Sequence, residues 1–341
     1  MLIVIYILLG ISILAPIYTY ALYPFVLRLL PSKKYDIDKR YKPSVSVVIV
    51  GGNEEEYEKK IKNIYESDYQ NISEMMHASP NESPLTIIKS ARGEVVLVTN
   101  TKSMLLNGSI SAAVNALSPS CVGGVCGMSR KAPDEYGVFH DGSNWKYENK
   151  IKVLESRIGC LSGGNMAICV IKRELLPEVN QTMINLDFLL PTFVTEKGLD
   201  VLFEPKAMAY EMEKQSESDL FKKHMADGAS YYRSIVHFWR LLLPRKGSFV
   251  FWSHRVMKWL VPFNMIFLLL GCGILAVYFR WAFVLLILQL FGYLYLSFYY
   301  ISFTQKGKAL SGPIGKLSDF ASYFMVLNVA WFCGLFKIGK E

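Results

Sequence analysis

From Leu2 to Leu22 the chain runs without a single charged residue. A stretch of that length is enough to cross a hydrocarbon core, which takes about 20 apolar residues as a helix. It extends weakly to Leu30. A cleaved signal peptide is the competing reading. It is weakened because no basic residue precedes the run and no small-x-small site closes it. Lys33, Lys34, Lys39, Arg40 and Lys42 follow at once. By the positive-inside rule, this cluster expects the following chain on the cytoplasmic side.

Three more apolar runs are expected as spans: Trp259 to Phe279, Trp281 to Phe303 and Leu317 to Phe336. Arg280 is the short link of a hairpin, and Lys306, Lys308 and Lys316 turn the next loop back inside. With four spans both termini fall outside, against which Lys337 and Lys340 pull. Among 341 residues, 52% are hydrophobic and the net charge is +8. A basic balance fits nucleic acid, an anionic membrane face or an anionic substrate. The apolar runs favour the membrane, and no arginine-rich arm or zinc-finger spacing supports nucleic acid. The six cysteines form no CxxC pair, so buried free thiols in a reducing compartment are expected. Asn-x-Ser/Thr matches at Asn71, Asn81, Asn107 and Asn180 carry no meaning in a cytoplasmic domain.

Between the first span and the rest lies an α/β pattern. Val45 to Val50 is a largely β-branched run and reads as a buried parallel strand. Gly51, Gly52 and Asn53 turn the chain, and Glu54 to Tyr65 reads as an amphipathic helix with acids in its first turn. Glu94 to Thr99 is the next clear strand. Val122 to Ser129 is another, Asp134 to Asp141 is loop-like, and Tyr147 to Arg157 is a charged amphipathic helix. A Gly-Gly-Asn turn at Gly163, Gly164 and Asn165 leads into the apolar run Met166 to Ile171. Asp187 opens an apolar helix, and Asp200 to Glu204 is a strand ending at Pro205. By themselves these elements make an α/β domain with a cleft.

Three segments, SGGNMAICVIKREL, the acid before FLLP, and EKGLDVLFEPKAMAYE, resemble in order and spacing the acceptor half of the membrane-bound family-2 glycosyltransferases. That group includes cellulose and hyaluronan synthases. VSVVIVGGNEEE is similar to the family's opening strand and Asn-Glu turn. The resemblance implies a GT-A-like nucleotide-sugar-binding domain inserted between transmembrane helices, one N-terminal and about three C-terminal, with amphipathic interfacial helices. The implied divisions are 1–31 for the first span, 44–214 for the cytoplasmic domain, 215–258 for interfacial helices and 259–341 for the remaining spans. Trp239, Trp252 and Trp259 are expected as headgroup anchors, with Arg240, Arg245, Lys246, Arg255 and Lys258 on anionic lipid.

The resemblance makes Asp187 the general base. It places Glu54, Asn100, Lys102, Gly163, Gly164, Asn165 and His224 around donor and acceptor. The departures are chemical. Leu186 stands where the first acid of the pair belongs. No Asp-Gly-Ser follows the second strand, which reads as short, and about a strand and a helix of sequence are absent before Ser90. His77, Asn81 and Glu82 fall there, either as a solvated loop or as a rebuilt base site. Leu105 to Leu117 is similar to the helix that follows the metal strand. Asn100 and Lys102 occupy the Asp-x-Asp positions, and charged Lys cannot be a ligand. A magnesium or manganese site of the family kind is therefore not expected, and no cofactor. Lys102 is either a substitute for the cation or a solvated loop residue. Phe221, His224 and Met225 replace the key positions of Gln-x-x-Arg-Trp; His224 either titrates near neutrality or is simply solvated.

Two functions follow. One is a degenerate subunit or scaffold of a cell-surface polysaccharide or glycoconjugate synthase, with a catalytic or export partner. The other is an active metal-independent transferase, moving a sugar from a nucleotide-sugar to a lipid-linked or polysaccharide acceptor. A transporter is disfavoured because the spans carry almost no charge.

Overall fold

The computed structural model describes residues 2–133, 143–176, 185–211, 217–303 and 312–338. Asn180, the loop expected at Asp134 to Asp141, Lys306, Lys308, Lys340 and the domain boundary at Lys214 lie outside the described residues. The chain forms two compact units, one of residues 24–214 and 238–252, the other of 1–23, 215–237 and 253–341.

The first unit is built on a seven-stranded sheet of order β2-β1-β3-β6-β5-β7-β4. The strands are β1 (Val45–Val50), β2 (Ile72–Ala78), β3 (Val95–Asn100), β4 (Ser103–Leu105), β5 (Val122–Lys131), β6 (Cys169–Lys172) and β7 (Asp200–Glu211). β1 lies parallel between β2 and β3. The first five residues of both β1 and β3 are buried, as continuous apolar runs of a covered parallel sheet should be. β6 runs antiparallel to both β3 and β5, and β5 pairs parallel with β7.

Several boundaries differ from the sequence reading, for identifiable reasons. β2 is seven residues long rather than short, and one seven-residue helix, Pro84–Ser90, links it to β3. The helix expected from Leu105 begins only at Ser109. Leu105 is instead drawn into β4, where it pairs with Ala209 and its backbone is held at both ends by the Asn63 amide, at 2.8 and 3.0 Å. β7 does not stop at Pro205. Its partner register jumps from Gly127–Glu204 to Met128–Met208, so the proline, which cannot donate to the ladder, sits in the bulge and pairing resumes beyond it.

The second unit is helical. Leu2–Leu29, Arg280–Ser302 and Gly312–Lys337 are long and apolar enough to cross a membrane. The span expected over Trp259 to Phe279 is a 16-residue helix, Val261–Ala276. It reaches spanning length only if joined to Ser248–Trp259, from which it bends by 52°. Proline at its start, Pro262, fits a new helix beginning there. The helices Glu217–His237 and Gly312–Gly334 meet backbone to backbone, because Gly228 and Gly334 leave room at the crossing. Trp259 is not a headgroup anchor: it is 1% exposed and stacked on Tyr231 with ring centroids 4.7 Å apart. Trp239 and Trp252 are exposed.

Candidate functional site

The chain leaves β1 for β2 on one side and returns through β3 on the other. This makes the β1/β3 junction a switch point, and in open α/β sheets the crevice at the carboxyl ends of such strands is where ligands bind. One lip is the Gly51–Gly52–Asn53 turn. Both glycines have positive φ, 77° and 76°. A Cβ on Gly52 would also lie 2.3 Å from Thr101 Oγ1, so this turn and the end of β3 are in direct contact.

Asn53 then starts the helix Glu54–Tyr65 with a reciprocal capping box. Its Oδ1 accepts from the Glu56 N–H at 2.9 Å, and Glu56 Oε2 accepts from the Asn53 N–H at 3.0 Å. The cap occupies these N–H groups and brings three carboxylates into the first turn. This helix start is therefore poorly suited to hold phosphate. Glu54 is exposed beside it.

The other lip is the turn after β3. Asn100 pairs with Val50 across the sheet. Its side-chain oxygen is shut from solvent and meets no hydrogen-bond partner among the described residues. Lys102 is exposed. Beneath this turn lies a residue the sequence reading missed. Lys60 is fully buried and its ammonium donates to the Ser103 carbonyl. Burial lowers its pKa to about 7. The signal was in the spacing: Tyr57, Lys60, Ile61 and Ile64 fall on one helical face, and that face is the inner one.

The strand-end donor set is one amide oxygen and one ammonium. It does not fit magnesium or manganese, which need several carboxylate or carbonyl oxygens. His77, at the end of β2, is also ordered here. Its ring stacks on Tyr57 at 4.2 Å and 8°, and Nε2 lies 3.0 Å from the Gly51 carbonyl.

The turn at Gly163, Gly164 and Asn165 reaches the same end of the sheet. Thr99 Oγ1 donates to the Ala167 carbonyl at 2.7 Å. The Asn165 amide is consumed by the fold: Nδ2 donates to the Gly127 carbonyl at 2.7 Å, and Oδ1 accepts from the Ala167 and Ile168 N–H groups. Gly164 donates to the Asp187 carbonyl at 2.7 Å and its own carbonyl accepts from Lys152 at 3.3 Å. Asp187 is in the first turn of Leu186–Glu196, capped by Asn185 Oδ1 at 3.0 Å. Below them the Cys126 and Cys169 sulfurs are 3.6 Å apart, both as free thiols. The hydrogen bond that the two thiols share, together with burial, raises the Cys169 thiol pKa.

The fold thus gathers Glu54, Asn100, Lys102, Gly163, Gly164, Asn165 and Asp187 in one unit. His224 belongs to the other. There its Nε2 lies 3.2 Å from the Tyr323 hydroxyl and its Nδ1 is 3.6 Å from Asp227.

No protein-family model matches the sequence, and no curated protein does. Among solved structures, the chain is similar to the mannosyltransferase PcManGT from Pyrobaculum calidifontis in complex with GDP-Man and Mn2+. That likeness has a TM-score of 0.65 at 15% identity and covers 95% of this chain and 99% of the other. GalNAc-T7 with UDP, GalNAc and Mn2+ matches at TM-score 0.35 and 10% identity, over 51% of this chain and 44% of that one. A mycobacterial protein matches at 0.41 and 13%, over 58% and 76%. The sheet, the switch-point crevice and the full-length likeness together give this chain a GT-A-type glycosyltransferase fold.

Proposed function

We propose that this protein is a membrane-embedded, catalytically degenerate glycosyltransferase-like subunit of an assembly that makes a cell-surface polysaccharide or glycoconjugate, its α/β unit on the cytoplasmic side. The observation that carries this reading is the turn after β3. At the switch point it presents Asn100 and Lys102, neither of them a carboxylate; the carboxylates of the opposite lip are Glu54, Glu55 and Glu56, of which Glu56 is engaged in the Asn53 cap. Preorganised charge is usually the largest catalytic term, and its usual source on the donor side is gone. The nucleotide-sugar remains the ligand class that suits the crevice, as GDP-Man is for the mannosyltransferase of similar fold. Turnover would come from a partner chain.

A second reading is supported by the Gly164–Asp187 arrangement. There the acceptor frame is intact, Asp187 takes the proton of an acceptor hydroxyl, and the Lys102 ammonium neutralises the leaving diphosphate. The acceptor is a lipid-linked or polymeric sugar.

Calorimetric titration of the full chain in detergent with UDP, UDP-glucose and GDP-mannose, with and without manganese, separates the readings. The subunit reading expects no turnover and no manganese-dependent binding. Manganese-dependent binding sinks it. Metal-independent binding lost in Lys102→Glu, with transfer lost in Asp187→Asn, establishes the second.

A further inference from the structure

One edge of the seven-stranded sheet is open. β2 is an end strand, paired only with β1. Among the described residues no backbone group bonds to Ile72–His77 from the other side. The opposite end strand, β4, is three residues long, and shortness is one way in which edges are blunted. β2 has no such protection. It runs for seven residues, ISEMMHA, without a lysine or a proline. Its one register shift, at Ser73, leaves Glu74–Ala78 regular. Its two faces differ, as the alternation of a strand allows. Ile72 and Met75 pack on the same core as Tyr57 and Ile61 of the helix Glu54–Tyr65, and a groove beside them is lined by Tyr57, Ile61, Tyr65, Ile72 and Met75. Glu74 turns to the other face, where it accepts from Ser46 Oγ and from the Arg92 N–H, both at 2.6 Å.

We propose that the outer edge of β2 takes one added strand from a partner protein, an extended segment with apolar side chains toward the helix Glu54–Tyr65 and lysine or arginine at the alternate positions. In this mode the unpaired N–H and C=O groups of the edge supply affinity, and pockets for alternate side chains supply specificity. The apolar side chains enter the groove beside Ile61 and Met75. The basic ones stand next to Glu74, where opposite charges on neighbouring strands stabilise the pair. Charge selects the partner. From Glu54 to Glu74 the chain carries seven acids and three lysines, although its net charge is +8. Of those lysines, Lys60 is buried and Lys59 is paired with Glu55 at 2.7 Å. Glu54 and Glu58 are exposed and share a helix face with Ile61 and Tyr65. A second copy, paired antiparallel about a two-fold axis, would set these acids against their own images, so the edge suits a basic partner and not itself. None of this depends on transferase activity.

The test is binding of the fluorescein-labelled peptide Lys-Ile-Lys-Val-Lys-Ile-Lys to the full chain in detergent, followed by anisotropy. A second preparation carries benzoylphenylalanine in place of the valine, for crosslinking. Crosslinks are expected on the segment that contains Met75. The same peptide methylated on every backbone nitrogen keeps its charge and loses its donors, and should bind about tenfold more weakly. The double variant Glu58→Lys/Tyr65→Lys changes two exposed residues and should weaken the unmethylated peptide by about tenfold as well. Equal binding of the two peptides overturns the proposal, as does no binding, undiminished binding to the double variant, or crosslinking on other segments. If the chain alone sediments as a dimer that Tyr65→Lys splits, a second copy takes the edge and the proposal falls. If the double variant does not fold, the ratio between the two peptides and the crosslink map of the unsubstituted chain decide the matter.

Discussion

The backbone N–H of Gly164 donates to the backbone carbonyl of Asp187 at 2.7 Å. The Gly-Gly-Asn turn and the start of the Asp187 helix are thereby one rigid piece. Gly164 is required there because a Cβ would lie 2.4 Å from Cys126 Sγ. Gly164→Ala should therefore destabilise the α/β unit by about 1–3 kcal/mol through overpacking. Adding Cys126→Ala removes the sulfur and should recover most of the loss. Thermal melting of the two variants checks this; an unaltered melting temperature in Gly164→Ala refutes the contact.

Lys60 gives the fold a pH dependence of known sign. Burial lowers its pKa to about 7, while the unfolded chain keeps the ordinary lysine value near 10.4. Between those values the unfolded state binds more protons, so Lys60 makes stability rise with pH, by at most about 1.4 kcal/mol per pH unit. Melting from pH 7 to pH 10 should show this rise in the natural chain, and Lys60→Met should flatten it. If both chains show the same slope, the ammonium is not buried.

Asp200 is held by two cations. Lys33 reaches it at 2.8 Å and Lys246 at 2.5 Å, and its side chain is 3% exposed. Burial opposes its charge, yet the hydrogen bonds of Lys246 and Lys33 hold its pKa below the usual value. The two lysines are partly exposed, so losing one should cost about 1 kcal/mol or less. Asp200→Asn leaves both ammonium groups crowded and should cost about 3–5 kcal/mol. Because the folded pKa is depressed, the carboxylate's contribution is complete above about pH 4 and is lost as pH falls through the folded value. Denaturation midpoints of the three single variants at pH 7, and of the natural chain from pH 7 to pH 3, test the order and the window.

What the sequence made legible follows from how local the signal is. β1, β3 and the Glu54–Tyr65 helix were readable because uniform burial and the Asn53 cap write themselves into adjacent residues. β4 was not, since Leu105 takes strand geometry only through Asn63 and Ala209, each far along the chain. The continuation of β7 past Pro205 depends on a partner strand that tolerates a bulge. Asp187 and the Gly-Gly-Asn turn were singled out through motif order, and the Gly164–Asp187 hydrogen bond ties the two segments together. Lys60 was overlooked because a lysine among acids looks solvated until helix spacing puts it with Tyr57, Ile61 and Ile64. Asn165 was read as a ligand contact, although its amide is spent on Gly127, Ala167 and Ile168.

The helical unit offers a test with an internal control. A Cβ on Gly228 would lie 2.7 Å from both the Cα and the carbonyl oxygen of Trp331, and one on Gly334 would lie 2.5 Å from the Met225 carbonyl. These are backbone atoms, which cannot swing aside as a side-chain end can. Close approach through small residues is a usual way for apolar helices to associate, since lipid supplies no hydrophobic drive between them. Gly228→Leu and Gly334→Leu should each force the Glu217–His237 and Gly312–Gly334 helices apart, lowering the melting temperature in detergent and broadening the gel-filtration peak. Gly273 sits in the helix Val261–Ala276 with nothing within 4 Å of a built Cβ. Gly273→Leu adds the same volume and should leave both readouts unchanged or slightly improved, because glycine inside a helix is unfavourable to begin with. Equal damage from all three substitutions would mean that the loss comes from added bulk at any glycine, not from the Gly228–Gly334 crossing.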